Sequence, residues 1–275
     1  MPQAFEILNS HIRRGPYRAV LFDFDGTLSL IREGWPRVMV GMMLGIVRER
    51  NLAAESDEEL WGILEQFVMA LNGHPTILQM ERFAQEIAAR GGTPDAATVY
   101  LQGYLDRLMA VVQQRWDLLA SGNATAESWV VPNAHAILKN LQTRGIPVYL
   151  ASGTDLEAVL HEGHLLKVLA PFGEHVYAPA GGDPTFSKGH VVDGILASLG
   201  IRGDELLGFG DGVVEAQEVK RVGGTFVGVA SAEPGQIGVN LDKRARLAAA
   251  GADLIVPDYV EQDALLRWLF EPPKG

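Results

Sequence analysis

The chain contains no cysteine. Disulfide frameworks, thiolate zinc sites and cysteine nucleophiles are therefore excluded, and nothing calls for an oxidising compartment. Basic residues are also outnumbered, 23 lysines and arginines against 34 aspartates and glutamates, which gives a formal net charge of -11 and a pI near 5.1. A protein that binds nucleic acid or an anionic membrane needs a basic face, so neither partner is expected. Long apolar runs are missing too. The most apolar run, VMVGMMLGIV at residues 38–47, is about half the ~20 residues a membrane-spanning helix needs and reads as a buried helix. The opening MPQAFEILNSHIRRGPYR has no signal-type apolar segment, so a cytoplasmic location is expected. No internal repeat and no low-complexity tract stands out. The 275 residues, 47% hydrophobic and 21% charged, suffice for one large core or for a core with a smaller companion domain.

Within that composition one stretch is unusual. Residues 19–28, AVLFDFDGTL, run an apolar strand straight into two carboxylates, a glycine and a threonine. Side chains alternate along a strand, so Asp23 and Asp25 point one way and Phe24 the other. Two like charges side by side repel unless something positive lies between them.

From about residue 130 onward, short apolar runs alternate with helical patterns. IPVYLASG, HVYAPA, ELLGFGDG, GTFVGVAS and ADLIVPD each end in glycine or a polar residue, and helical patterns such as TDLEAVLHEGHLLKVLA and SKGHVVDGILASLG lie between them. This order predicts an α/β fold, a Rossmann-like doubly wound parallel sheet with helices on both faces. Residues 30–129 differ, with long amphipathic patterns and few strand-like runs. They read as an all-helical domain inserted into a core made of residues 1–29 and 130–275.

Ligands in an open parallel sheet bind beyond the carboxy ends of the strands. The polar residues expected there are Asp23, Asp25, Gly26 and Thr27 after the first strand, Ser152, Gly153 and Thr154 after IPVYLA, Lys188 at a helix start, and Asp211 with Glu215 one helical turn on. A crowded carboxylate set free of cysteine and histidine suits a hard oxygen-seeking cation, and Mg²⁺ is expected. His161 and His164 share a helix face but lack an H-E-x-x-H pattern and read as solvated or capping. Met39, Met42 and Met43 read as helical core or a subunit contact.

The order D-F-D-G-T, a strand ending in Ser before Gly, Lys at a helix start, and G-D-G-V-V-E resembles the haloacid dehalogenase superfamily. The similarity is to its aspartate-based phosphatases with a helical cap inserted after the first motif, of phosphoglycolate phosphatase and beta-phosphoglucomutase type. The resemblance runs through the chain in motif order and implies specific roles. Asp23 would be the nucleophile that forms an aspartyl-phosphate, and Asp25 the acid and then the base. Mg²⁺ would be held by the Asp23 carboxylate, the Asp25 backbone carbonyl and the Asp211 carboxylate. Thr27, Ser152, the Gly153 amide and Lys188 would bind the phosphoryl group, and Glu215 would stand behind them, reaching a metal-bound water or Lys188. Dehalogenating relatives lack an acid at the position of Asp25, so its presence points to phosphate esters.

Specificity is expected in the cap and its hinges, at Arg32, Glu33 and Trp35 in SLIREGW and at Asn72, His74, Thr76 and Gln79 in NGHPTILQM. A capped site suits a small phosphorylated metabolite, such as a sugar phosphate or a phosphoglycolate-like acid. The protein is expected to be a monomer or a homodimer. A phosphomonoester hydrolase is the leading reading. A phosphomutase of the same architecture and a catalytically silent phospholigand sensor are its rivals.

Overall fold

A computed structural model describes residues 5–71, 76–181, 183, 185–233 and 236–271. The chain divides into two compact units, Met1–Glu33 with Leu118–Gly275, and Gly34–Asp117.

The first unit is built on a sheet whose strands are β1 (Glu6–Ile7), β2 (Ala19–Phe22), β3 (Val148–Ala151), β4 (Val176–Tyr177), β5 (Leu206–Gly210), β6 (Thr225–Val229) and β7 (Leu254–Val256). Their spatial order is β1-β7-β6-β5-β2-β3-β4. Every pairing from β4 across to β7 is parallel, as the alternating pattern predicts. The exception is β1, which adds an antiparallel edge by pairing Glu6 with Ile255 and Ile7 with Leu254. β2, β3, β5, β6 and β7 are buried along their whole length, which is why they read as unbroken apolar runs rather than as alternating ones.

The connections set where ligands can bind. From β2 the chain goes outward to β3 and β4, then returns to the other side of β2 with β5 and proceeds to β6 and β7. The direction of travel reverses between β2 and β5, so a crevice opens beyond the carboxy ends of β2, β3 and β5. Helices α5 (Ala134–Thr143), α6 (Leu156–Leu165), α7 (Lys188–Leu199), α8 (Val213–Arg221), α9 (Leu241–Ala249) and α10 (Gln262–Phe270) belong to this unit. α7, α8 and α9 supply Val192, Ile195, Ala216, Val219 and Leu247 to a core shared with Ala19, Leu21, Tyr149 and Phe226 of the sheet. An aromatic cluster fills another part of the core: Phe22 stacks on Phe209 at 4.8 Å, and Tyr259 meets both edge-on. α6 stops at Leu165, short of the longer helix the pattern suggests, and Lys167 beyond it adopts a left-handed conformation with φ 59.

The second unit contains α1 (Trp35–Glu49), α2 (Asp57–Ala70), α3 (Thr76–Ala89) and most of α4 (Ala97–Ala120), and no strand among its described residues. The apolar run at residues 38–47 lies in α1, where Met39, Met42 and Met43 are buried. α2 begins with a capping box in which Ser56 and Glu59 satisfy each other's backbone amides. Among the described residues, no helix is long and apolar enough to cross a membrane.

Residues 28–30 and 129–131, where the helical block leaves and rejoins the α/β pattern, are hydrogen bonded to each other. Leu30 N donates to Trp129 O at 2.8 Å and Val131 N to Leu28 O at 3.0 Å.

Candidate active site

After β2 the chain folds into a tight loop. Leu28 N and Ser29 N both donate to Phe24 O, at 2.8 and 2.9 Å, and Gly26 N donates to Ser29 O at 2.8 Å. Gly26 has φ 71, and a Cβ there would overlap the Asp211 carboxylate and come within 3.0 Å of Glu33 Oε1. Glycine is thus required twice, for the left-handed backbone and for the close approach of two carboxylates. The loop is anchored from below by Tyr259, fully buried, whose hydroxyl donates to Thr27 O at 2.9 Å. Tyr259→Phe is expected to cost about 1 kcal/mol. It should lower the midpoint of urea unfolding without changing the slope, and an unchanged midpoint would remove the anchor.

The loop presents Asp23 and Asp25 to different surroundings. Asp23 is buried; Lys188 Nζ donates to its Oδ1 at 2.5 Å, and Thr27 Oγ1 lies 3.5 Å from its Oδ2. Burial pushes the Asp23 carboxyl well above the usual carboxylate range; Lys188 opposes this, and the charges of Glu215 and Asp211 add to it. Asp25 accepts a 2.7 Å hydrogen bond from Thr154 Oγ1 on Oδ2 and has Arg32 Nε 3.7 Å from Oδ1. Its carboxyl is raised as well, by burial first, with Arg32 and Thr154 opposing.

Four segments converge here. Ser152, beyond β3, is 1% exposed, and its Oγ accepts from Thr154 N at 3.0 Å. It does not cap the following helix, because Asp155 does so by accepting from Glu157 N. Gly153 beside it is exposed. Lys188 opens α7 after the N-cap Ser187 and bridges Asp23 to Glu215, so the long Glu215 side chain reaches the lysine. Burial would lower the Lys188 ammonium, but the two carboxylates outweigh it and hold the group raised.

Asp211 follows β5 and meets a group that nothing in the local sequence announced. Lys243, in the first turn of α9, places Nζ 3.0 Å from Asp211 Oδ2 and 2.6 Å from Glu33 Oε1. Two further residues, Ser231 and Glu162, also join the site without a local signal. Ser231 Oγ donates to Gly26 O at 2.6 Å and accepts from Lys243 at 3.0 Å. Glu162, fully buried in α6, accepts from Arg32 Nη2 at 2.7 Å.

The expected specificity residues fare differently. Arg32 lies at Asp25, whereas Glu33 is spent on Lys243. Trp35 and Thr76 open α1 and α3 of the second unit, and Gln79 donates to Val68 O at 2.8 Å inside that unit. Asn72 and His74 lie outside the described residues. His164 bonds the Leu160 carbonyl one turn back, at 2.7 Å.

Comparison with known proteins agrees with this architecture. A profile of the haloacid dehalogenase-like hydrolases matches residues 17–223. No curated protein sequence matches the chain. Among solved structures, a HAD family hydrolase from Deinococcus radiodurans with bound phosphate and sodium is similar at 20% identity and TM-score 0.60, covering 94% of this chain and 99% of that one. A predicted phosphoglycolate phosphatase from Haemophilus somnus aligns at 13% identity and TM-score 0.58 over 90% and 97% of the two chains. A candidate beta-phosphoglucomutase from Thermotoga maritima aligns at 18% identity and TM-score 0.53 over 90% and 100%. At such identities these likenesses speak for the fold, while the profile spans most of the chain and includes Asp23, Asp25, Ser152, Lys188 and Asp211: the protein belongs to the haloacid dehalogenase-like hydrolases.

Proposed function

We propose that the protein is a Mg²⁺-dependent phosphomonoester hydrolase that acts on a small phosphorylated metabolite through an aspartyl-phosphate on Asp23. The observation that carries this reading is the division of labour between two neighbouring carboxyls. Asp23 faces a lysine, and Asp25 faces a hydroxyl and a guanidinium, in a crevice at the sheet's switch point.

The donor set fits the metal. Among the described residues, no three carboxylate, imidazole or thiolate side chains form a metal cluster. By the resemblance to the family, the protein's share would be two carboxylates, Asp23 and Asp211, and the Asp25 main-chain carbonyl, all hard oxygen donors of the kind Mg²⁺ takes alongside water and phosphate. Burial first, and then the charges of Glu215 and Asp211, raise Asp23, and such a cation would relieve the repulsion. When bound, Mg²⁺ supplies positive charge to the phosphoryl oxygens and to Asp23.

The chain's own residues then do the following. Ser152 and the Gly153 amide, with Thr27 nearby, bind phosphoryl oxygens, and Lys188 neutralises charge on Asp23 and on the phosphate. An Asp23 carboxylate oxygen attacks phosphorus while the ester oxygen departs and takes a proton from Asp25. The raised Asp25 carboxyl suits that donation. Asp25, now ionised, draws a proton from water, which attacks the aspartyl-phosphate, releases inorganic phosphate and restores Asp23. Glu215 keeps Lys188 in place through both steps.

Activity against a panel of small phosphate esters tests the reading. Wild type should release free phosphate with no sugar acceptor or bisphosphate activator present, and isomerised sugar phosphate with negligible free phosphate would favour a mutase instead. EDTA should silence turnover and Mg²⁺ restore it, and Asp211→Ala should raise the Mg²⁺ needed for half-maximal rate by about 10-fold or more. Full activity in metal-free buffer would contradict the proposed site.

A further inference from the structure

Lys243 is an unexpected residue to find where it is. It is 7% exposed, and it sits in the first turn of α9, where the helix dipole disfavours a cation. Its ammonium has three protons and three acceptors, Glu33 Oε1 at 2.6 Å, Ser231 Oγ at 3.0 Å and Asp211 Oδ2 at 3.0 Å. Two carboxylates, Glu33 and Asp211, share one ammonium, so the trio keeps a net negative charge for another cation. Asp211 Oδ2 is also walled in from a second side, since it lies where a side chain on residue 26 would begin. One carboxylate oxygen is thereby stowed between a lysine and a glycine backbone. The same lysine reaches the loop that carries Asp25, because Ser231 passes a hydrogen bond on to Gly26 O at 2.6 Å.

Resting on the metal-dependent reading above, we infer that Lys243 sets the cation selectivity of the site by limiting Asp211 to a single metal-facing oxygen. A site with monodentate carboxylates suits Mg²⁺, which demands near-octahedral coordination and keeps several waters. Ca²⁺ takes more oxygens and readily accepts bidentate carboxylates. Removing the lysine releases Oδ2 of Asp211, and an added carboxylate oxygen favours the larger ion.

The test is calorimetric titration of the full-length protein with Mg²⁺ alone and with Ca²⁺ alone, in wild type, Lys243→Met and Lys243→Arg. In Lys243→Met the ratio of Ca²⁺ to Mg²⁺ affinity should rise by about 10-fold. Lys243→Arg keeps a cationic donor and should shift the ratio less than methionine does. If Lys243→Met does not fold, the double variant Glu33→Gln with Lys243→Met keeps the pair's charge balance and should show the same rise. A ratio within about twofold of wild type in whichever of these folds, judged by circular dichroism, would overturn the inference while leaving the hydrolase reading intact. Failure of wild type to bind either ion would overturn both.

Discussion

Asp23→Asn should lower phosphate release by on the order of 10⁴-fold or more while leaving the fold in place. The amide cannot attack phosphorus as a carboxylate does, so the loss falls on the first chemical step and appears in kcat. The fold should survive for reasons visible in the site. Asparagine is nearly the same shape, and Lys188 keeps a carboxylate partner in Glu215 when Asp23 loses its charge. Substitution also removes one member of a crowded set of negative groups, in which burial first and the neighbouring charges of Glu215 and Asp211 next hold Asp23 raised. Thermal unfolding at or above the wild-type midpoint, with phosphate release near background, is the expected pair of observations. Near wild-type release from a folded Asp23→Asn protein would remove the nucleophile.

The second large effect belongs to Asp25. Asp25→Asn should lower steady-state phosphate release from alkyl and sugar phosphates by about 10²- to 10⁴-fold, because it removes both the acid and the base. The two losses separate by choice of substrate. An activated aryl phosphate carries a leaving oxygen that needs little protonation, so Asp23 should still be phosphorylated slowly. Hydrolysis of that intermediate still wants a base. Phosphoenzyme should therefore accumulate in Asp25→Asn and show as a burst of released phenol followed by a much slower steady state. Equal losses on sugar and aryl phosphates, with no burst, would mean that Asp25 positions the loop rather than moving protons.

Much of the site was legible because its groups sit at the ends of short apolar runs. Asp23, Ser152 and Asp211 each follow a buried strand, and in a parallel sheet those ends meet on one side. Lys188 was readable from its place at a helix start, and the structure joins it to Asp23 and to Glu215. The residues that were not legible owe their roles to partners far along the chain. Lys243 and Glu33 are 210 residues apart, and Glu162 and Arg32 are 130 apart. LDKRARL reads as a solvated helix face, and no local pattern marks one lysine in it as buried. A weak signal existed, since a lysine three residues after the N-cap Asn240 opposes the helix dipole. Glu162 likewise looks like a surface charge in LEAVLHEGHL until the packing shows it enclosed. Strand β1 leaves no sequence signal because it is two residues long, too short for any period to register, and is held by pairing with β7 at the far end of the chain.

Covalent phosphoryl transfer to one carboxylate is the step on which the proposed hydrolysis depends. Wild type and Asp25→Asn can be mixed with an activated aryl phosphate and Mg²⁺, quenched in acid within the burst, and digested for peptide mass spectrometry. The expected result is an acid-stable, hydroxylamine-labile phosphoryl group on the peptide that carries Asp23, more abundant in Asp25→Asn and absent from Asp23→Asn. Phosphate release at the wild-type rate with no phosphoryl group on that peptide, or with the group on another residue, would contradict it.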